Sequence, residues 1–456
     1  MTGLLLRARC LFASDRGALG LGPASAALIA RLATLPSSIV ASLAVTRLIS
    51  DGYGAQGFAI YALIVTLPAM LPIADLGFGA AVTDALARRH IYGIDEYRSM
   101  IQSAVVVLAC VGSLMAIVSI VLGVLGAWPV LLGVRSNEAN VAASVAIAIF
   151  GIGLPSSLGY RVLLGLARNH VNVLIQGGSV LLTLASVSVL VVLSVPLPWI
   201  VSAPVVSQIL AGALAWRIGR RSLAVEVIRV RGSRKRRSLR PLLSMALPMS
   251  IVSACLALAF QSDRVVLSHV SSTAELASYS LGAQVFTPAL SVVSVAGLSL
   301  WPRYAGQRRA DGKSDTKLRE YVCIVAVFAL AGLCIGLLLV WFGPFVGDIA
   351  SGGVIVIGRD LMVAFAVLIL VQSIHFPGGM FLTDVSGLRA QAVMSAVMLL
   401  INLPLSVLLA RSLGAVGPVL GSAIAMVVAV LVPTAVLVVR RVDRVGSIQR
   451  SVVAGL

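Results

Sequence analysis

Charge is scarce in this 456-residue chain: Asp, Glu, Lys and Arg together supply 11% of it, and only 17 residues are acidic. Soluble domains carry about 25% charged residues, and with 59% hydrophobic residues no soluble class fits. Histidine is scarcer still, with four scattered residues that show no zinc-ligand spacing. No phosphate cradle is present either. The stretch GQRRADGKS has five residues between Gly306 and Gly312 where a P-loop needs four, and no strand precedes it, so it reads as a solvated loop. The five cysteines, Cys10, Cys110, Cys255, Cys323 and Cys334, read as packing residues with no disulfide framework. These absences argue against an enzyme, a nucleotide-driven pump and any bound cofactor.

What the chain has is oil in long runs. Apolar stretches of ~18 or more residues recur along its length, each able to cross a ~30 Å hydrocarbon core as a helix, and the period-2 segments of a membrane barrel are lacking. Twelve spans are expected, at 25–48, 57–76, 99–124, 140–160, 172–194, 199–217, 242–263, 274–300, 319–342, 354–376, 388–410 and 414–439. All five tryptophans, Trp128, Trp199, Trp216, Trp301 and Trp341, fall at span ends, as an interfacial aromatic belt requires. The expected fold class is an all-α polytopic membrane protein with two six-helix bundles.

The basic residues set an orientation. Of the 35 Lys and Arg, all but Arg47, Arg135, Arg264, Arg359 and Arg411 fall on the side that also holds both termini, which the positive-inside rule makes cytoplasmic. The expected parts are a cytoplasmic lead (1–24), a first bundle (25–217), a basic linker (218–241), a second bundle (242–439) and a cytoplasmic tail (440–456). The linker run RGSRKRRSLR, Arg231 to Arg240, joins two membrane helices. It suits anionic lipid headgroups, and it explains the net charge of +18 without nucleic acid.

The halves repeat weakly. Arg47 and Tyr61 in the first match Arg264 and Tyr279 in the second. LPSSLGYRVLLGLAR resembles FPGGMFLTDVSGLR, and spans six and twelve open on Pro204 and Pro418. Because six is even, such halves are related by an axis along the membrane normal, and the cavity between them can alternate its opening.

The residues Val45–Arg88, with an Arg near the end of span one, the Tyr53–Gly54 turn, Phe58–Tyr61 and the Asp75–Gly79 run DLGFG, resemble the N-terminal region of the bacterial polysaccharide flippases. These form the lipid-linked-oligosaccharide branch of the multidrug/oligosaccharidyl-lipid/polysaccharide exporter superfamily. Leu163–His170 (LLGLARNH), and DRVVL followed by ASYSL in the second half, resemble it too. Ile49–Asp51 departs from the Leu-Gly-Pro common in that family. The resemblance implies a bacterial inner-membrane flippase. Its substrate would be an undecaprenyl-diphosphate-linked glycan, and glycan polymerase or glycosyltransferases would be its partners.

A diphosphate crossing hydrocarbon needs cationic donors, and the Arg fork holds phosphate oxygens bidentately. The candidate substrate-binding residues are therefore Arg31, Arg47, Arg264 and Arg359. The polar Gln208, Gln261, Gln284, His375 and Asn402 stand beside them as glycan contacts. Each has a plainer reading. Arg31 is close enough to the inner end to snorkel, and Arg47 and Arg264 to sit among outer headgroups. Arg359 marks the start of span ten, and a Gln or Asn in a span more often bonds a neighbouring helix. Asp75 and Asp84 suit a helix-terminal role. Gly332 and Gly336 read as a close helix contact.

Two other classes stand beside the flippase: an ion-coupled multidrug or organic-cation exporter of the same superfamily, and a non-transporting scaffold for glycan assembly. An exporter needs a carboxylate buried in a span, and the sequence offers only Asp263, beside Arg264 and counted to the outer surface. The favoured arrangement has Arg47 and Arg264 flanking the outer mouth of the cavity.

Overall fold

A computed structural model describes residues 23–70, 79, 82–83, 86, 94–134, 136–227, 240–298, 300–306 and 318–453. Asp75, Asp84, Cys10, most of the expected lead, residues 231–239 of the basic run and the P-loop look-alike beyond Gly306 lie outside the described residues.

Every regular element among the described residues is helical. Hydrocarbon offers no partner for backbone N–H and C=O groups, and a helix satisfies them within one segment. Helix α1 (Pro23–Thr66) is two arms, 23–53 and 55–66, reversed at Gly54. With φ 65° and ψ −174°, that residue holds a conformation open essentially to glycine alone. A 3₁₀ turn, Leu67–Met70, prolongs the second arm. Then come α2 (Ile94–Val124) and α3 (Asn137–Gly153), which passes through a 3₁₀ turn at Leu154–Ser157 into α4 (Leu158–Gly165). The first half closes with α5 (Asn169–Val192) and α6 (Ala203–Val227). The second half holds α7 (Arg240–Val270), α8 (Thr273–Leu298), α9 (Leu318–Ser351), α10 (Arg359–Phe381) and α11 (Val385–Leu413). Its last span is α12 (Val416–Met426), a π turn at Val427–Leu431 and α13 (Val432–Val453).

Among the described residues, eleven helical stretches are long and apolar enough to cross a membrane, and the first contains both arms of α1. The layout is therefore twelve spans, in the order expected. Their edges differ where charge was taken as an ending. Helix α6 continues past Arg217 to Val227, so the first part of the expected linker is helix, and α7 continues past Asp263 and Arg264 to Val270. Hydropathy marks where the apolar region stops, whereas a helix stops only where its backbone bonds do. Pro155 and Pro377 likewise sit within helical segments, and the reversals after them fall at 166–168 and 382–384.

Two lobes result. In the first, α1 packs along α5, α2 along α3, and α6 against α4 and α5. In the second, α7 packs on α11, α11 on α12, and α9 on α10. Gly332 and Gly336 allow the last contact, since a Cβ at Gly332 would strike Ser373 and one at Gly336 would press on Ala366. The outward faces are apolar: Leu330, Leu337, Leu400 and Val393 are exposed, as is Trp341 at 79%. Such faces need lipid rather than water. Cys110, Cys323 and Cys334 are free and exposed, so they are not the packing residues expected; of the described cysteines, Cys255 alone is half-buried among helices.

The lobes meet at the membrane face that carries the Gly54, Gly133, Gly352 and Gly414 turns, called here the turn end; Pro23 and α13 point the other way. Helix α1 contacts α8 and α9 there, and α7 contacts the Leu67–Met70 turn. One apolar core is shared across the seam, with Ile49, Phe58 and Leu63 from the first lobe and Leu281, Phe286, Met362 and Phe365 from the second.

Candidate functional site

The seam is fastened by polar side chains at three places. Gln284 of α8 is the central one: its Oε1 accepts from Thr46 Oγ1 of α1 at 2.7 Å, and its Nε2 donates to the Ser42 carbonyl at 3.0 Å and to the Ser42 hydroxyl. Ser42 and Thr46 are four residues apart on α1 and so share a face that clasps one amide. Nearer the turn end, Arg47 pairs with Asp51 at 2.7 Å and lies against the backbone of Gly352, just past α9. Close by, His269 near the end of α7 sets Nε2 3.2 Å from the Val130 carbonyl of the first lobe.

A second polar cluster lies inside the second lobe. Asp263 is 1% exposed, which overturns its expected place at the outer surface. Its position is seven residues before the end of α7, but α8, α11 and α12 close around it. Tyr279 Oη donates to Asp263 Oδ2 at 2.9 Å; Ser406 Oγ lies 3.3 Å from Oδ1 and Ser422 Oγ 3.4 Å from Oδ2. Asn402 joins them, its Nδ2 donating to the Ala259 carbonyl at 2.8 Å and its Oδ1 lying 3.2 Å from each serine hydroxyl. Every oxygen partner of the carboxylate is uncharged, an arrangement that answers to a proton or a small cation.

Arg264, the next residue, points elsewhere. Its Nη1 donates to Gln261 Oε1 at 2.8 Å, and its guanidinium carbon stands 5.6 Å from the centroid of the Tyr279 ring. Its Nε is buried and has no hydrogen-bond partner among the described residues. It is a cation held among helices with a donor to spare.

The other sequence candidates are scattered. Arg31 is half-buried on α1, Arg359 is exposed as the first residue of α10, and Gln208 is exposed on α6. His375 of α10 faces Gly379 and has a buried, unpartnered Nδ1 among the described residues. Of the candidate residues, the structure thus brings together Gln261 with Arg264, and it places Gln284 and Asn402 in helix-to-helix bonds. The repeat partners Arg47 and Arg264 are held differently: one in a half-exposed ion pair on the seam, the other between its own lobe's helices.

Sequence reading overlooked Ser42, Thr46, Ser406 and Ser422. A signal existed, because Ser42/Thr46 and Asn402/Ser406 are i,i+4 pairs of polar residues in apolar helices. Hydroxyl residues in membrane helices usually bond their own backbone, so the spacing alone names no partner.

A family model described as polysaccharide biosynthesis protein matches residues 24–306, from the start of α1 through α8 and beyond. The chain belongs to that family. Among solved structures, a multidrug/oligosaccharidyl-lipid/polysaccharide exporter superfamily transporter from Pyrococcus furiosus, titled for the reverse polarity of its binding pocket, is similar at TM-score 0.61 and 14% identity. The match covers 95% of this chain and 97% of that one. A lipid II flippase in an inward closed conformation gives TM-score 0.59 at 12% identity, covering 91% of this chain and 87% of the other. An outward-facing multidrug resistance transporter of the same superfamily gives 0.60 at 13%, covering 93% and 97%. Comparison with curated proteins gives no match. The family member described here thus has the two-lobed fold of that transporter superfamily and is a multi-pass membrane protein.

Proposed function

We propose that the protein is a flippase that carries a polyprenyl-diphosphate-linked oligosaccharide from the inner to the outer leaflet of the bacterial inner membrane, for surface polysaccharide assembly. Both termini are then cytoplasmic and the turn end faces outward, in keeping with the basic residues gathered on the terminal side. The observation that carries the reading is Arg264. A guanidinium kept between membrane helices, with a buried Nε that no acceptor among the described residues uses, is suited to phosphate oxygens. The seam supports alternating access, because side-chain hydrogen bonds such as Thr46 to Gln284 can be exchanged without unfolding either lobe.

A second reading, an ion-coupled exporter of organic cations, draws on Asp263, a carboxylate that the sequence counted to the outer surface and that lies buried among helices. Proteoliposomes holding a labelled polyprenyl-diphosphate glycan separate the two. In the flippase reading the wild type moves the glycan between leaflets and Arg264→Gln slows this by about tenfold or more, the equivalent of one charge-assisted hydrogen bond. No glycan movement, together with cation uptake that Asp263→Asn abolishes, would establish the exporter instead.

A further inference from the structure

His269 holds a position that a neutral imidazole does not satisfy. It is the penultimate residue of α7, with Nδ1 2.8 Å from the Val265 carbonyl of its own helix and Nε2 3.2 Å from the Val130 carbonyl of the first lobe. Both partners are carbonyl oxygens, which only accept. A neutral ring carries a single N–H, so in either tautomer the other nitrogen turns a lone pair toward an oxygen. Turning the ring over puts C–H edges at both carbonyls instead. Only the imidazolium donates to both at once.

The seat of the ring is built by both lobes. The short helix Trp128–Leu132 of the first lobe ends at Gly133, whose φ is 65°. A Cβ there would fall 2.9 Å from the imidazole Cγ and Nδ1 and 2.7 Å from the Ser268 carbonyl, so the ring lies directly on the glycine backbone. The Val130 carbonyl has room for a donor, since the Gly133 N–H reaches it only at 3.4 Å, near the limit of a hydrogen bond. A positive charge is also favoured in the last turn of α7, where the helix dipole ends negative.

The charged groups on the neighbouring elements are engaged elsewhere. Arg47 pairs with Asp51 on α1, and Glu275 of α8 accepts the Ala415 N–H at 2.6 Å. Tyr279 of α8 bonds Asp263, and Arg264 bonds Gln261. Arg411 of α11 and Glu138 of α3 are exposed, while the Trp128–Leu132 helix, the Leu67–Met70 turn and α12 carry no titratable side chain. Among the described residues, the two carbonyls alone are hydrogen-bonding partners of the His269 ring.

We propose that His269 is a pH-sensitive latch on the turn end of the seam. Protonated, it ties α7 to the first lobe at Val130; neutral, it gives up one of its two carbonyls and the tie loosens. In the orientation proposed above the latch meets the outer medium, and it fastens as that medium becomes acidic. It acts on the empty transporter, whatever the cargo, and is separate from Asp263, which is buried inside the second lobe.

The test is a distance between spin labels on Asn137→Cys and Ser412→Cys, exposed positions on opposite lobes at the turn end. The protein is held without substrate in nanodiscs of phosphatidylethanolamine and phosphatidylglycerol, with the native cysteines replaced by Ser. From about pH 8 to about pH 5, where histidine side chains change charge, the ratio of closed to separated lobes should rise by about fivefold, the scale of one ionic contact at an exposed site. His269→Phe keeps a ring on Gly133 without either nitrogen, and should fix the ratio at its neutral value at every pH. His269→Lys, charged throughout, should fix it at the acid value. Asp263→Asn should leave the response intact. A response that survives in His269→Phe overturns the proposal, as does a ratio that falls or stays level in acid, or a response lost in Asp263→Asn. If Asp263→Asn fails to fold, the opposed Phe and Lys variants decide alone.

Discussion

Arg47 lies across Gly352, and its guanidinium occupies the space that a Cβ on that glycine would need. The two belong to opposite lobes, so a residue with no side chain is what lets the arginine reach over the seam while it pairs with Asp51.

Gly352→Ala should therefore destabilise the protein in two ways. Its φ of 69° is left-handed, which costs an alanine about 1–2 kcal/mol, and the new methyl displaces the guanidinium. Thermal unfolding in detergent measures the total. In an Arg47→Ala background the steric part should vanish and the backbone part remain, so the same substitution should cost less there. Equal costs in both backgrounds would show that Arg47 does not rest on Gly352.

Gly332→Val tests the crossing of α9 and α10. The added side chain meets Ser373 and the backbone of Leu370, and overpacking of this kind costs about 1–3 kcal/mol. The same change at Cys334, which faces outward on α9, should be neutral within about 0.5 kcal/mol. Unfolding midpoints of the two variants provide the comparison.

The reversal between α10 and α11 predicts an acid response. Burial alone would raise the Asp384 carboxyl. Hydrogen bonds from Ser386 and Arg441, the charge of Arg441 and a bond from the Gly387 N–H outweigh it and hold Asp384 below the usual 3.8. Arg441 reaches it from α13 at 2.6 Å and also donates to Ser386 at 2.9 Å. Because the folded value is depressed, the bonds contribute fully above the ordinary carboxylate value and are lost as pH falls through the folded one. Asp384→Asn should lower the unfolding midpoint at neutral pH, with the gap from wild type closing in acid. A gap independent of pH would leave the carboxylate's charge without a role.

The membrane fold was legible in the residues because hydrocarbon permits so few choices. Apolar runs, scarce charge and tryptophans at span ends lead to twelve helices, and the basic linker with the weak repeat on either side of it divides them into two sets of six. Site residues were harder to read. Arg264 was visible as a cation in an apolar helix, whereas its donor bond to Gln261 and its place over Tyr279 depend on rotamers and on α8. Asp263 was misjudged for the same reason: its depth along α7 was countable, but three other helices bury it.

Composition and hydropathy thus determined that the chain spans a membrane as helices, how many times, and where its basic face lies, since each follows from the cost of moving one residue or peptide group into lipid. Only the tertiary structure decided which polar residues meet. Gln284 with Ser42 and Thr46, and Asp263 with Tyr279, Ser406 and Ser422, lie as far as 242 positions apart in the chain. A hydrogen bond depends on distance and angle in space, and no local pattern along a helix records which face of another helix will arrive beside it.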